Sequence, residues 1–289
     1  MLARFSCLLL VGAAGFVLGG LVSQQASEAC EMHEQKNNTG TNHSYTPRQK
    51  PMVIAHRGGK KWAPENTMAG FRQSVDIKAD GIELDIHKCK SGELVVIHDE
   101  TLDRTTNGTG LIKDKNWSEL SKLSAGLWFD KKFESERIPL LSEVLELVDG
   151  KLVLNIEIKN SPIAYEGIED DLLKMLEGYK YPDKIIISSF DHAVIKRISS
   201  KTSKYKLAVL GDALVYDLGG YANKVGASAW HPYHGELRSD NVEQAHSNNL
   251  MVNVWTVNES KDWNRMKSLK VDGIVTDDPA GLIDYLKTM

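Results

Sequence analysis

Three acidic residues stand inside short apolar runs, where a carboxylate is costly to bury. Glu83 and Asp85 alternate with aliphatic residues in GIELDIH (81–87), and Glu157 does the same in LVLNIEIK (152–159). Side chains two residues apart on a strand project to the same face, so Glu83 and Asp85 point the same way. Three carboxylates that converge on one point repel each other unless a cation joins them. An all-oxygen set of this kind suits Mg²⁺ or Ca²⁺ better than Zn²⁺.

Two of the nine histidines close apolar runs. His56 ends MVIAH (52–56), and His98 lies near the end of LVVIHD (94–99). A histidine pair beside a divalent cation can act as acid and base, one deprotonating a nucleophile while the other protonates a leaving group. The alternative role is metal ligation, which the oxygen-rich carboxylate set makes less attractive. His87 shares the face of the first two carboxylates but fits a position at the rim equally well, so it is not included among the candidate site residues.

Two cations, Arg57 and Lys159, adjoin these residues in the sequence. A metal ion, an Arg and a Lys that converge on one point describe a phosphate site, with positive charge where the transition state gains negative charge. The alternative is a structural network in which Arg57 or Lys159 pairs with Glu83 or Glu157. An apolar wall for the organic part of a substrate would come from three aromatic residues near strand ends, Phe190, Trp230 and Trp255. Taken singly, each of them fits core packing better.

The elements that must position these residues are short β-branched runs separated by helical patterns such as PLLSEVLELVDG. Strands alternating with helices of this length predict βαβ units and a parallel sheet. The units are numerous and evenly spaced, which favours an α/β fold of the closed (β/α)8 TIM barrel type over a doubly wound sheet. In such a barrel the active site lies at the carboxyl ends of the strands. The predicted strands are 52–56, 81–87, 94–99, 152–159, 184–190, 206–211, 227–233, 251–257 and 272–278.

One long segment interrupts the alternation. Residues 100–137 contain no long aliphatic strand but carry Trp117, Trp128, Phe129 and Phe133 among charges and glycines. A stretch of this size is usually functional or a small subdomain. We therefore predict a small insertion after the second strand that caps one rim of a barrel domain spanning 51–289, whose 239 residues (289 − 50) match the roughly 250 of one barrel.

The N-terminal segment has the pattern of an export signal. A positive charge at Arg4 precedes an almost wholly apolar stretch, and small residues stand before Cys30, so residues 1–29 are predicted to be a signal peptide or an N-terminal anchor. A lipoprotein signal is a weaker alternative, because the residues before Cys30 match it poorly. Residues 30–50 are polar and predict a flexible tether. We expect an exported protein, extracellular or periplasmic, with membrane or cell-envelope association through the N-terminus as an alternative.

Composition limits the partners. The formal net charge of −4 provides no basic field for nucleic acid, so no nucleic-acid partner is expected. Outside the signal only Cys30 and Cys89 remain, which do not make a disulfide framework, and Cys89 is expected to be a buried thiol.

Together these motifs closely resemble the glycerophosphodiester phosphodiesterase family, within the superfamily of PI-PLC-like phosphodiesterases. The resemblance rests on HRGGKKWAPENT, ELDIHKCKSGELVVIHDETLDRTTNGTG, NIEIKN, SSF, VWTVN and GIVTDDP, in this order, and covers about 52–280. It implies a (β/α)8 barrel with an insertion after the second strand. It also implies cleavage of a small glycerophosphodiester to sn-glycerol 3-phosphate and an alcohol, with one divalent cation, Ca²⁺ or Mg²⁺.

The resemblance also assigns roles by position. The family's acid–base histidines match His56 and His98. Its divalent-metal ligands match Glu83, Asp85 and Glu157. Its phosphate-contacting cations match Arg57 and Lys159. Its supporting loop matches Glu65 and Asn66. Its aromatic residues at the glycerol pocket match Phe190 and Trp255. The match departs from the family at Cys89 and Ser91, away from the metal set, and His231 lies in a variable part and is a candidate only.

Three other functions are weighed against this one. A lysophospholipase D-like or sphingomyelinase D-like enzyme on the same scaffold would need an apolar patch at the barrel mouth. A catalytically silent barrel that binds envelope glycerophosphate polymers has no reason to keep both histidines and all three carboxylates. A cation-dependent structural module leaves the histidines unexplained. The residues do not decide the head group, the choice of cation, or which histidine is the acid.

Overall fold

The computed structural model describes residues 45–288. The predicted signal or anchor (1–29) and most of the predicted tether (30–50) lie outside the described residues. The strands are β1 (Met52–Ala55), β2 (Gly81–Lys88), β3 (Leu94–Val96), β4 (Val153–Ile158), β5 (Ile185–Ser189), β6 (Lys206–Gly211), β7 (Ala229–Pro232), β8 (Met251–Val254) and β9 (Gly273–Thr276). The helices are α1 (Met68–Asp76), α2 (Trp117–Leu120), α3 (Leu141–Val148), α4 (Ile168–Leu176), α5 (His192–Lys201), α6 (Leu218–Val225), α7 (Ser239–Ser247), α8 (Ser260–Ser268) and α9 (Pro279–Lys287).

Eight of these strands close into a barrel. The order β1-β9-β8-β7-β6-β5-β4-β2 is parallel throughout, and β1 also pairs with β2, with Ile54 opposite Gly81 and Ala55 opposite Ile82. β3 is antiparallel and extends the sheet outside the barrel along β2. The predicted (β/α)8 barrel is therefore confirmed, and the doubly wound alternative is wrong because a doubly wound sheet has two open edges.

Period-two alternation divides each strand between two environments. Ile82, Leu84 and Ile86 of β2 are fully buried among the helices, whereas the residues between them face the barrel interior. The helices present matching stripes, such as Ile168 and Leu172 of α4. Burial of such aliphatic side chains contributes about 1.5–3 kcal/mol each, so this layer holds the barrel closed. No helix within residues 45–288 is long and apolar enough to cross a membrane.

The insertion comprises residues 100–137, between the His98-Asp99 pair that follows β3 and the start of α3. It has little regular structure, with one four-residue helix (α2) and two 3-10 turns at Ile112–Asp114 and Lys131–Phe133. Its own small core contains Leu102, Ile112 and Leu120, all fully buried. This core packs on Val95 of β3, so the insertion is a compact cap supported by the antiparallel strand.

The first described residues contact the barrel. Tyr45 stacks on His246 near the end of α7, with ring centroids 4.7 Å apart, and hydrogen-bonds Asp272 just before β9. Asp272 is fully buried and also accepts from the backbone N–H of Val252 (2.8 Å). Residues 45–50 were predicted to belong to a flexible tether, and Tyr45 is held here by a buried carboxylate at the amino ends of the strands.

Candidate active site

The predicted site residues gather at the carboxyl end of the barrel. β1 ends at Ala55 and passes into a 3-10 turn at His56–Gly58, which places His56 and Arg57 at the rim. β2 and β4 carry the three carboxylates, and Lys159 follows β4 by one residue. One cavity of about 110 Å³ is lined by His56, Arg57, Glu83, His98, Asn155, Glu157, Lys159, Phe190, Leu210, His231, Trp255, Thr256 and Val275.

The carboxylates of Glu83, Asp85 and Glu157 form one buried cluster. The sheet register sets Asp85 beside Glu157, and one oxygen from each of the three lies within 4.8 Å of the others. Burial, together with the charges of Asp85 and Glu157, raises the pKa of Glu83 well above its usual value, and burial raises the pKa of Glu157. For Asp85, burial is outweighed by the charges of Arg57 and Lys159, so its pKa is lowered.

This cluster fits a hard divalent cation. All its donors are carboxylate oxygens, the ligands that Ca²⁺ and Mg²⁺ prefer. Oδ1 of Asp85 is buried and has no hydrogen-bond partner among residues 45–288. The alternative ion-pair network is present in part, since Nζ of Lys159 donates to Glu157 (2.8 Å). Two cations nevertheless face three carboxylates, so the cluster has an excess negative charge when all three are ionised.

His56 is oriented by a carboxylate from the other end of the chain. Its Nδ1 lies 2.6 Å from Oδ1 of Asp277, which follows β9, and Asn258 donates to the other oxygen of Asp277 (2.9 Å). Nδ1 therefore carries the proton and donates to Asp277, which leaves Nε2 directed towards the cavity, 4.0 Å from Glu83. Burial lowers the pKa of His56.

His98 has the same arrangement. Its Nδ1 lies 2.7 Å from Oδ1 of Asp99, and its Nε2 lies 3.2 Å from Nζ of Lys159. The ammonium can only donate, so Nε2 of His98 accepts and the imidazole is neutral in this arrangement. Burial lowers the pKa of His98, in agreement with a neutral ring. Two histidines thus present Nε2 to one cavity.

Arg57 connects the turn after β1 with the carboxylates. Its φ is 50°, in the left-handed region, and its backbone N–H donates to Glu83 (3.0 Å). Its guanidinium donates to Glu65 (2.7 Å) and lies 3.2 Å from Asp85. Gly58 continues the turn at φ 84°, where a Cβ would stand 2.9 Å from the ring of Phe71. The turn therefore aims the backbone and the side chain of Arg57 at the carboxylate cluster.

The predicted supporting loop does contact the site. Asn66, at φ 54°, donates from Nδ2 to Oδ2 of Asp85 (2.9 Å), and Glu65 accepts from Arg57 and from Arg104. Both side chains are buried. The loop therefore fixes one carboxylate of the cluster and one cationic side chain.

Replacing Glu65 with Gln is expected to lower the free energy of unfolding by about 2 kcal/mol at pH 7, because this buried carboxylate loses its charge-assisted pairs with Arg57 and with the partly exposed Arg104. Burial raises the pKa of Glu65, but the hydrogen bonds from Arg104 and Arg57 outweigh it and lower that pKa from 4.5 to about 2. The ionised carboxylate of Glu65 therefore makes its full contribution to the free energy of unfolding above pH 4.5. This contribution is lost as the pH falls from 4.5 towards 2. Urea unfolding of both proteins from pH 7 to pH 3 measures the difference, which should shrink below pH 4.5; a constant difference would contradict the assignment.

Aromatic side chains form one wall of the cavity. Phe190 and Trp255 meet edge to face with centroids 5.5 Å apart, and Nε1 of Trp255 donates to the carbonyl of His231 (2.8 Å). The expectation for Trp230 is wrong. Because its neighbour His231 faces the interior, Trp230 points outwards and is buried among the helices.

Several residues at the site were not singled out from the sequence. Asp277 and Asp99 hold the histidines, and the signal that could have found them is a carboxylate at a strand end or beside a candidate histidine. The barrel also contains buried, uncharged polar side chains close to the carboxylates. Asn155 and His231 line the cavity, Ser188 lies opposite Glu157 in the sheet register, and Asn253 donates to Nε2 of His231 (3.0 Å). Burial lowers the pKa of His231 to about 3, so this ring stays neutral.

The chain is similar to known proteins over most of its length. The model of the glycerophosphoryl diester phosphodiesterase family matches residues 56–281. A glycerophosphodiester phosphodiesterase of Caldanaerobacter subterraneus subsp. tengcongensis is 42% identical over 239 residues, which are 82% of this chain and 98% of that protein. A glycerophosphodiester phosphodiesterase of Bacillus altitudinis is 38% identical over 231 residues, 78% of this chain and 94% of that protein.

Solved structures show the same fold. A glycerophosphodiester phosphodiesterase from Agrobacterium tumefaciens superposes with a TM-score of 0.73 at 27% identity, covering 83% of this chain and 100% of that one. A phosphodiesterase from Oleispira antarctica, solved in complex with the product sn-glycerol-3-phosphate, superposes with a TM-score of 0.76 at 24% identity, covering 82% and 97%. At that identity the second likeness concerns the fold.

Proposed function

The chain belongs to the glycerophosphoryl diester phosphodiesterase family and is a glycerophosphodiester phosphodiesterase, and we propose that it cleaves its substrate with one divalent cation and the histidine pair His56 and His98. The products would be sn-glycerol 3-phosphate and an alcohol. The observation that carries this proposal is the cavity in which Nε2 of each histidine flanks a cluster of three buried carboxylates.

The cation would be held by Glu83, Asp85 and Glu157. When bound, it supplies positive charge that neutralises the phosphodiester and polarises its P–O bonds. Support for this role comes from the excess negative charge of the ionised cluster and from Oδ1 of Asp85, which accepts no hydrogen bond.

Arg57 and Lys159 would bind the phosphate oxygens. Both line the cavity, and both are held by buried carboxylates, so that their charges are fixed in place before substrate binds. The burial of Lys159 is outweighed by the charges of Glu157 and Asp85, which raise its pKa and keep it cationic. Fixed positive charge stabilises the pentavalent transition state more than the ground state, because negative charge accumulates on the equatorial oxygens.

The histidines would move the protons. One takes the proton of the attacking group, which is water or the neighbouring glycerol hydroxyl of the substrate, as its oxygen bonds to phosphorus. The other, protonated beforehand, gives its proton to the alcohol oxygen as the P–O bond to that alcohol breaks. If the glycerol hydroxyl is the attacking group, this step leaves a cyclic glycerophosphate. Water would then bond to phosphorus as the second histidine takes its proton, and the first histidine would return its proton to the ring oxygen as that P–O bond breaks, which gives sn-glycerol 3-phosphate. Asp277 and Asp99 stabilise whichever ring is imidazolium and keep each Nε2 directed at the cavity.

A second candidate activity, of the lysophospholipase D type, is favoured by one observation. Phe190 and Tyr233 are 43% and 41% exposed beside Trp255, so an aromatic surface borders the mouth. An acyl chain could lie there, whereas a deacylated substrate needs only the wall formed by Phe190 and Trp255 inside the cavity.

One assay tests the proposal. The full chain is given glycerophosphocholine, glycerophosphoethanolamine, glycerophosphoglycerol and lysophosphatidylcholine, each with and without EDTA and with Ca²⁺ or Mg²⁺ restored. We expect release of sn-glycerol 3-phosphate that falls at least 100-fold in EDTA and returns with the cation. Activity that persists in EDTA would overturn metal dependence, faster turnover of lysophosphatidylcholine would favour the second activity, and binding without turnover would indicate a silent barrel.

A further inference from the structure

Arg104, in the insertion, contacts two acidic side chains at once. Its NH1 and NH2 donate to Oε2 (2.9 Å) and Oε1 (2.8 Å) of Glu65. Its Nε and NH2 donate to Oδ2 (2.7 Å) and Oδ1 (2.9 Å) of Asp99. The guanidinium therefore makes two bidentate pairs, one with each carboxylate, through two different edges of its planar group.

Each of these carboxylates also holds a group that lines the cavity. Glu65 accepts from NH1 of Arg57 (2.7 Å), and Asp99 accepts from Nδ1 of His98 (2.7 Å). Arg104 is thus connected through one intervening side chain to the guanidinium of Arg57, which is proposed to bind phosphate, and to the imidazole of His98, which is proposed to transfer a proton. Among residues 45–288 no other side chain contacts both Glu65 and Asp99.

The loop that carries Arg104 is itself fixed. Leu102 is buried in the core of the insertion and accepts from Oγ1 of Thr106 (2.6 Å). Asp103 accepts from the backbone N–H of Gly110 (3.0 Å). The position of the guanidinium is therefore set by the folded insertion rather than by the barrel.

We propose that Arg104 is a positioning residue for the phosphodiesterase reaction, which ties the insertion to the barrel and sets the placement of Arg57 through Glu65 and of His98 through Asp99. This inference rests on the proposed roles of Arg57 and His98. It assigns the insertion a part in catalysis: the cap acts on the chemistry through this one side chain.

A lysine cannot take the place of Arg104. An ammonium is a compact charge without a planar fork, so it cannot make both bidentate pairs together. Loss of one pair lets the imidazole or the guanidinium shift, and a displacement of about 1 Å of a positioned group can cost on the order of 100-fold in rate.

The variants Arg104→Gln and Arg104→Lys test this inference against Arg197→Gln. Arg197 is a close match, since its side chain is 45% exposed like that of Arg104, and its carboxylate partner Glu169 is buried like Glu65, but it lies on α5 away from the cavity. We expect Arg104→Gln to lower kcat about 10- to 100-fold with less than about a threefold change in KM. The kcat of Arg104→Lys should lie between those of the wild type and Arg104→Gln. Arg197→Gln should stay within twofold of the wild type in kcat at similar folded fraction.

Two further measurements separate positioning from stability. On a Glu65→Gln/Asp99→Asn background, Arg104→Gln should lower kcat less than twofold further, because its contacts are already gone. Histidine ¹⁵N spectra should show one tautomer for His98 in the wild type and in Arg197→Gln, and a mixture in Arg104→Gln. Retention of kcat, an equal loss in Arg197→Gln, or an unchanged His98 tautomer would each overturn the inference. A wild-type chain without activity would overturn the proposed function alone, since the spectra still test the positioning of His98.

Discussion

Replacing His56 with Ala is expected to lower kcat for glycerophosphodiester hydrolysis by about 10²- to 10⁴-fold, the usual contribution of a positioned acid or base. KM should change by less than about threefold, because Arg57, Lys159 and the carboxylate cluster would still bind the phosphate. His98→Ala should have an effect of the same order, since both imidazoles present Nε2 to the one cavity.

The matched control is His246→Ala. His246 also pairs with a buried aspartate, Asp272 (3.0 Å), and its side chain is 12% exposed, as is that of His56, but it lies at the opposite end of the barrel. It should lower stability and leave kcat within twofold. An aryl phosphodiester identifies the roles, because its phenolate leaves without a proton: the variant that lacks the acid recovers on this substrate and the one that lacks the base does not. Normal turnover by His56→Ala would contradict the mechanism.

The second large effect concerns the carboxylate cluster as the proposed cation site. We expect Glu83→Gln to raise the melting temperature of EDTA-treated protein by a few degrees. The substitution removes the cost of ionising Glu83 beside two other buried carboxylates, or of protonating it to avoid that charge. The raised pKa of Glu83 has the same origin, because burial removes the water that would stabilise the ionised carboxylate. In the wild type, Ca²⁺ or Mg²⁺ at about 100 times its Kd should restore about 2.7 kcal/mol of stability.

Scanning calorimetry in EDTA and in excess cation measures both effects. The cation should raise the melting temperature of the wild type by about 5–10 °C and that of Glu83→Gln by much less. Glu169→Gln is the control, because Glu169 is a buried carboxylate outside the cluster, paired with Arg197, and its loss should leave the cation response unchanged. A full cation response in Glu83→Gln would show that Glu83 is not a ligand.

Most residues of the candidate site could be predicted from the sequence, because the alternation of side chains along a strand depends only on neighbouring residues. Charged residues that alternate with aliphatic ones must face a barrel interior, which was enough to group Glu83 with Asp85. The neighbouring position of Glu157 followed from the expectation of a parallel barrel, and the register that pairs it with Asp85 confirms it. The outward direction of Trp230 was available from the same alternation, given that His231 faces inwards.

Long-range partners could not be predicted in this way. Asp277 meets His56 only because the last strand closes the barrel on the first, 221 residues away. The meeting of Arg104 with Glu65 depends on the path of an irregular insertion, which carries no periodic signal. Tyr45 stood in a polar stretch that composition alone marks as unstructured, and its partner Asp272 is buried at the far end of the sequence.

The left-handed backbone of Arg57 has a consequence for protein engineering. A non-glycine residue at φ 50° carries about 1–2 kcal/mol of strain, and a glycine there would relieve it. A search for stabilising substitutions guided by backbone conformation alone would therefore choose Arg57→Gly. That substitution also removes the guanidinium that pairs with the buried carboxylates of Glu65 and Asp85, and loss of one partner of a buried ion pair costs about 3–5 kcal/mol. The cost exceeds the strain that is relieved, so a substitution chosen from φ alone would destabilise the protein at this position.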